Sequence, residues 1–275
     1  MNYRHAFHAG NFADCMKHVL LVLILQALAR KPAAFSVLDT HAGIGSYDLT
    51  GDQAGRTGEW RAGIGRLLES AAPGVPDAYL DLVRRTGAPA AYPGSPLIAA
   101  MMLRPQDRLV CCELHPEDSR ALRAVFAGNP QVSVHARDGY QALGALLPPR
   151  EAKRGLVLID PPFEQPDEFA RLAAGIATAH RRFATGIIAA WYPIKNRAPV
   201  RAFRDSLRDS GIRDIVALEL TLRPPLDPAR LNGSGLVVVN PPYGFVEQGL
   251  SALRALAHLS PDGTGEAGAT RIARE

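Results

Sequence analysis

Apolar runs closed by turn residues recur down the chain, and the stretches between them carry apolar residues at spacings of three and four. That alternation of strand and helix predicts a parallel sheet. Seven strands are expected, at residues 34–39, 108–113, 131–135, 155–160, 185–191, 212–222 and 235–240. Amphipathic helices are expected at 116–126, 167–182 and 200–210, the last with Val200, Phe203 and Leu207 on one face. Residues 14–30 read as a helix apolar on most sides and therefore buried, with Asp14, Lys17 and His18 sharing its single polar face. The apolar run 19–25 followed by Ala27-Leu28-Ala29 imitates a secretory signal. It falls short of the roughly 20 residues a bilayer requires, and the polar stretch before it carries Asp14, so no membrane association is expected.

Strands one, two and four end in Asp39, Glu113 and Asp160, and Asp138 follows the third by three residues. In a doubly wound sheet ligands bind outside the carboxyl ends of the strands, so these acids should converge on one cleft. The first strand runs into Asp39-Thr40-His41-Ala42-Gly43-Ile44-Gly45, a glycine turn that lets backbone approach a nucleoside but lacks the third glycine of a dinucleotide fingerprint. An acid that takes ribose hydroxyls should stand about 20 residues past such a turn. From Gly45 to Glu113 the distance is 68 residues, whereas Glu113 to Asp138 is 25 and Asp138 to Asp160 is 22. Set against those two intervals, each close to the βαβ repeat of about 30 residues, roughly 45 residues have been inserted after the first loop. Residues 47–93, with short helices at 59–68 and 77–85, are expected to form a small helical subdomain inserted into a single larger domain of residues 1–46 and 94–275.

Composition narrows the class without naming a partner. The 275 residues are 47% hydrophobic and 21% charged, which excludes disorder, and a net charge of +4 is too slight to identify nucleic acid as the ligand. The thiols Cys15, Cys111 and Cys112 have neither metal-ligand nor disulfide spacing, and the scattered histidines share no pattern, so a reducing cytoplasm and no metal are expected.

Asp160-Pro161-Pro162-Phe163 carries the most specific chemistry. The lone pair of an adenine N6 is delocalised and poorly nucleophilic. A carboxylate at Asp160 and the carbonyl of Pro161 can each accept one N6–H and turn that lone pair toward a methyl donor, while Phe163 stacks on the purine. Pro–Pro is stiff and brings no N–H to compete for those acceptors. Asn240-Pro241-Pro242-Tyr243 matches the same pattern, but it ends the seventh strand, away from the glycine loop, and reads as a structural turn.

Together with Tyr3-Arg4-His5-Ala6-Phe7-His8-Ala9-Gly10-Asn11, Asp14, Lys17, His18, Leu38-Asp39-Thr40-His41-Ala42-Gly43, Arg56-Thr57-Gly58-Glu59, Tyr92-Pro93-Gly94-Ser95-Pro96 and Glu113-Leu114-His115-Pro116, that motif resembles the RlmJ family. These bacterial enzymes methylate N6 of one adenine in large-subunit (23S) ribosomal RNA with S-adenosyl-L-methionine. The resemblance runs from residue 2 to about 265 and implies a class I, Rossmann-like methyltransferase sheet of seven strands with an inserted helical subdomain. It assigns His18, His41, Ser95, Glu113, Asp138 and Gly139 to the donor, Asp160 to catalysis, and Tyr3, His5 and Lys17 to the target nucleotide. Glu113 suits ribose hydroxyls, Asp138 an adenine amino group, and His18 and Ser95 a carboxylate. Two departures stand out: the motif ends in Phe163 where the family can have a tyrosine, and the tail from Pro261 is Gly- and Ala-rich, with its last ten or so residues unassigned and expected to fray.

Without the resemblance, His41 reads as a loop histidine that satisfies backbone groups, and Asp39 serves equally well as brace or ligand. Cys111 and Cys112 read as small buried hydrophobes. Arg181, Arg182, Lys195, Arg197, Arg201, Arg204 and Arg208 form an expected RNA-backbone patch, offset in part by Asp205 and Asp209. A ribosomal RNA adenine methyltransferase, acting as a monomer, is the leading reading over a DNA adenine methyltransferase and over a non-enzymatic RNA-binding module.

Overall fold

The structure is a computed structural model that describes residues 4–69 and 73–274. After a short turn at His5–Phe7, helix α1 (Phe12–Ala29) leads into β1 (Ser36–Asp39). Then come β2 (Ser46–Tyr47), α2 (Asp52–Thr57), a wide π-type turn at Arg61–Gly65, α3 (Arg66–Glu69), α4 (Asp77–Thr86), β3 (Tyr92–Pro93) and α5 (Ser95–Met101). The rest alternates: β4 (Arg108–Cys112), α6 (Pro116–Val125), β5 (Val132–His135), α7 (Gly139–Leu146), β6 (Gly155–Ile159), α8 (Glu168–Arg182), β7 (Ile187–Ile194) and α9 (Arg197–Arg208). It closes with β8 (Ile215–Thr221), β9 (Gly233–Val239), α10 (Phe245–Leu256) and β10 (Glu266–Ala273).

The main sheet has eight strands in the order β10-β8-β9-β7-β6-β1-β4-β5, one more than the sequence pattern predicts. β1 pairs in parallel with β4 and β6, and β6 with β7, whereas β9 runs antiparallel to β7 and β8. The additional strand is the tail expected to fray: β10 pairs antiparallel with β8 from Glu266–Thr221 to Ala273–Ile215, with a bulge near Arg271. Most of it is exposed, Ile272 alone is fully buried and only Ala267 and Ala273 pack partly against the core, so it carries no apolar run to announce it.

The central strands β1 and β6 are buried along their whole length because helices cover both faces. α1, α5 and α10 pack on one face around Leu20, Ile24 and Leu253; α7, α8 and α9 pack on the other around Leu143, Ile176 and Phe203. α1 is long and apolar enough to cross a membrane, but 78% of it is buried inside the protein. Asn11 caps it by accepting from the amides of Ala13 and Asp14.

Residues 48–91 leave the sheet through a two-stranded neck in which Ser46 pairs with Pro93 and Tyr47 with Tyr92. The wide turn beyond packs on the start of α1, where the amide of Ile64 donates to Gly10 O (2.9 Å). Gly63 is required there, since a Cβ would stand 2.2 Å from that same carbonyl. Glu59 fastens the contact by accepting from Nδ2 of Asn11 (2.9 Å).

Candidate active site

The carboxyl ends of β1, β4 and β6 open into a cleft of about 1020 Å³, large enough for a nucleoside-bearing ligand and a base. The loop after β1 is stitched to both neighbours: Thr40 N donates to Leu158 O (3.0 Å) and Ala42 N to Cys112 O (2.9 Å). Gly43 then adopts φ +62°, which aims its amide at Oε2 of Glu113 (2.9 Å), while Oε1 accepts from His115 N (2.8 Å). Burial pushes the Glu113 carboxyl up and these two amides pull it back, leaving it above its ordinary value. Asp138 caps α7 by accepting from Gln141 N (2.9 Å). Gly139 lies so close to the loop that a Cβ would meet Thr40 O at 2.2 Å and the His41 ring at 2.8 Å. His18, His41, Ser95, Glu113, Asp138 and Gly139 all line this one cleft.

Neither histidine is a cation. Desolvation lowers His18 to about 3 and His41 to about 4. Nδ1 of His18 lies 2.9 Å from the Tyr92 hydroxyl, and Nδ1 of His41 lies 2.8 Å from Oγ1 of Thr40. Ser95 donates its hydroxyl to Oδ2 of Asp39 (2.7 Å), so a bound carboxylate would compete with Asp39 for that proton. Burial pushes Asp39 up to about 7, Ser95 opposes the shift and nearby Asp160 adds to it.

The polar face of α1 points into the protein. Nζ of Lys17 contacts Oδ2 of Asp160 and lies 3.2 Å from Oδ1 of Asp14, with 5% of Lys17 exposed. Burying that ammonium is tolerable because two carboxylates flank it. Oδ2 of Asp14 accepts from Gly10 N (2.9 Å) and meets Nε2 of His5 (2.9 Å). Burial alone would raise the Asp14 carboxyl, but His5 and Lys17 hold it well below the usual range. His5 also stands edge-on to Tyr47 at 5.1 Å. Tyr3, assigned to the target nucleotide, lies outside the described residues.

Pro161 is buried behind Asp160, and Phe163, at φ +51°, stands edge-on to Phe169 (4.9 Å) and Trp191 (5.7 Å). Trp191 is the site residue that sequence reasoning passed over, because it reads as core within a strand. Its ring lies 5.8 Å from Nζ of Lys17, and Nε1 donates to Oγ of Ser234 (2.6 Å). Tyr140, edge-on to His41 at 5.3 Å, and Leu114 also line the cleft unanticipated. A tryptophan closing the expected strand 185–191, which follows the Asp160 strand, was the available signal.

Strand direction separates the two Pro–Pro motifs. β9 runs against β7, with Ile188 paired to Val239, so Asn240 sits at the opposite end of the sheet from Asp160. Its Nδ2 donates to the carbonyls of Ala184 and Gly186 (2.8 Å each), and Tyr243 is 94% exposed. The same logic breaks up the expected basic patch. α8 and α9 run away from the cleft, so Arg181, Arg182 and Arg208 lie at the far end, while Lys195 and Arg197 stay near the rim. Arg204 is spent on Glu219 and Arg208 on Asp205.

Comparison with known proteins supplies a relationship to match this geometry. Residues 32–271 match the family model described as Ribosomal RNA large subunit methyltransferase D, RlmJ. The chain is 42% identical over 280 residues to the Ribosomal RNA large subunit methyltransferase J of Escherichia coli (strain K12), covering all of both chains. It is also 42% identical to the protein of that name from Haemophilus influenzae, over 96% of each chain. A crystal structure of a Legionella pneumophila (strain Philadelphia 1) protein superposes with a TM-score of 0.88 at 36% identity, over 96% of this chain and 98% of that one. A probable spermidine synthase from Corynebacterium glutamicum shares the fold at 13% identity, with a TM-score of 0.51 over 94% and 75% of the two chains. The chain is therefore a member of the RlmJ family of ribosomal RNA large-subunit methyltransferases.

Proposed function

We infer that this protein transfers the methyl group of S-adenosyl-L-methionine to N6 of one adenine in large-subunit (23S) ribosomal RNA, yielding N6-methyladenosine and S-adenosyl-L-homocysteine. The observation that carries the reading is the place of Asp160, which ends β6 beside β1 and faces the cleft next to Lys17 and Trp191. The second Pro–Pro motif has no access to that cleft.

The residues present fit the donor. Each Glu113 oxygen holds one backbone amide and keeps a further lone pair for a ribose hydroxyl, and Asp138 keeps an acceptor for an amino group. His18 and His41, being neutral, offer hydrogen bonds without charge, Ser95 stands beside them, and Gly139 leaves the approach open. When bound, S-adenosyl-L-methionine supplies an electrophilic methyl group on a sulfonium centre.

The chain's own contribution is orientation. Lys17 occupies Oδ2 of Asp160, so Oδ1 and the carbonyl of Pro161 are left to accept the two N6 hydrogens and hold the nitrogen toward the donor. Phe163 and Trp191 form an aromatic wall for a base swung out of its stack, and His5 and Lys17 line the same cleft and are placed to contact the nucleotide. As the N6–methyl bond forms, the surplus proton on N6 leaves to solvent or passes transiently to Asp160. Residues 47–93 act as an inserted subdomain at the mouth, and residues 1–46 with 94–275 as the catalytic domain. The protein works as a monomer, and its free, buried Cys15, Cys111 and Cys112 support a cytoplasmic location.

Labelled-methyl transfer to deproteinised ribosomal RNA, total RNA and duplex DNA tests this. Asp160→Ala should abolish transfer with donor affinity retained, and Asn240→Ala should leave transfer intact. Incorporation into duplex DNA, or none into RNA with donor bound, overturns the assignment.

A further inference from the structure

The rim of the cleft carries a built cationic ledge. Residues 222–232, between β8 and β9, and Lys195, just past β7, are held together by Asn232, whose side chain is 1% exposed. Nδ2 of Asn232 donates to Lys195 O (3.0 Å) and Asp227 O (2.7 Å), and its backbone amide donates to Ile194 O (3.1 Å). Its carbonyl accepts from the amides of Leu222 (2.9 Å) and Arg223 (3.3 Å). The ledge presents Lys195, Arg223 and Arg230 to the cleft. Among the described residues no carboxylate pairs with Lys195 or Arg223, and Arg230 reaches Asp227 only at 3.7 Å with 69% of its side chain exposed.

The walls below are of opposite sign, lined by Asp14, Glu113, Asp138, Asp160, Glu164 and Glu168. The cations Lys17 and Arg171 offset only part of these six carboxylates, so a phosphodiester entering there would meet an excess of negative charge, whereas an uncharged flipped nucleoside would not. The backbone on either side of a flipped nucleotide must therefore lie along the rim, and on this side the rim is basic.

We propose that the Asn232-braced ledge of Lys195, Arg223 and Arg230 binds the RNA phosphodiester backbone flanking the target nucleotide. The proposal rests on the RNA methyltransferase reading and adds where the strand runs. The test is filter binding of deproteinised large-subunit ribosomal RNA across 0.1–1 M salt, with labelled-methyl transfer measured in parallel. The variants are Lys195→Ala/Arg223→Ala/Arg230→Ala and the charge-keeping Arg223→Lys/Arg230→Lys.

Each lost phosphate contact removes about 0.7–0.9 from the slope of log affinity against log salt, so the triple variant should lose about 2–3 in slope. That corresponds to roughly 100-fold or more in affinity at 0.1 M salt, converging with the wild type near 1 M. The lysine variant should keep the slope, and donor affinity should stay at the wild-type value in both. Wild-type slope and affinity in the triple variant overturn the proposal, as does a wild-type protein whose RNA binding ignores salt. Salt-dependent binding through these three residues without methyl transfer to RNA would uphold the ledge and overturn the catalytic assignment instead.

Discussion

Asp39→Asn removes a carboxyl that the fold holds near neutrality, and its consequence can be worked out before it is measured. Asp39 is 1% exposed; Oδ2 accepts the Ser95 hydroxyl (2.7 Å) and Oδ1 the amide of His41 (3.3 Å). Burial, opposed by Ser95 and reinforced by Asp160, lifts its pKa from 3.8 to about 7. Between those values the folded chain keeps a proton that the unfolded chain has released, so this group's stabilisation is complete below about pH 4 and is lost as pH rises through 7. Three pH units at about 1.4 kcal/mol each give about 4 kcal/mol as the full swing. Asparagine is isosteric, still accepts from His41 N and can donate to Ser95, but cannot ionise. Urea unfolding of both proteins from pH 4 to pH 8 should show the variant gaining on the wild type by up to about 4 kcal/mol, with the contributions of other shared groups largely cancelling in the difference. A difference that stays flat across this range would refute the reasoning, because Asp39 would then be ionised throughout and compensated by Lys17.

Lys17→Met leaves Asp14 and Asp160 without their shared counter-ion and should cost about 3–5 kcal/mol in urea unfolding, part of which Lys17→Met/Asp14→Asn recovers. Methyl transfer should be lost in both variants, since Asp160 loses its anchor. Gly139→Ala drives a methyl group to within 2.2 Å of Thr40 O, so calorimetry should show donor affinity falling about tenfold or more, with little change in far-ultraviolet circular dichroism. Ile272→Ala removes the one fully core-facing side chain of β10 and should destabilise the protein by about 2–4 kcal/mol, whereas the exposed Thr270→Ala on the same strand should stay within about 0.5 kcal/mol.

What could be read from the sequence was local or periodic. Seven strands announced themselves as apolar runs because six hold buried residues and β5 packs Val132 and Val134 partly against the core, and the acids at or near their ends followed from the alternation. β10 did not, since its eight residues hold a single buried side chain and its strand character comes from the free edge of β8. The helix α1 was legible as buried and its polar face as a stripe. That Lys17 on this stripe meets Asp160, 143 residues away, depends on how α1 lies across the sheet, which no spacing within the helix records.

The remaining gaps come from strand direction, which composition does not encode. Arg181, Arg182 and Lys195 are neighbours in sequence, yet α8 carries the two arginines down to the foot of the sheet and β7 brings Lys195 back up to the cleft. Asp160-Pro161-Pro162-Phe163 and Asn240-Pro241-Pro242-Tyr243 are nearly interchangeable as text. The reversal of β9 sends one to the cleft, against a buried ammonium and an indole, and the other to the opposite end, where the Asn240 amide is consumed by the carbonyls of Ala184 and Gly186. The chemistry available to an acid or amide before two prolines is thus set by the neighbours its strand end meets: Asp160 meets an ammonium and the cleft, whereas Asn240 meets two backbone carbonyls.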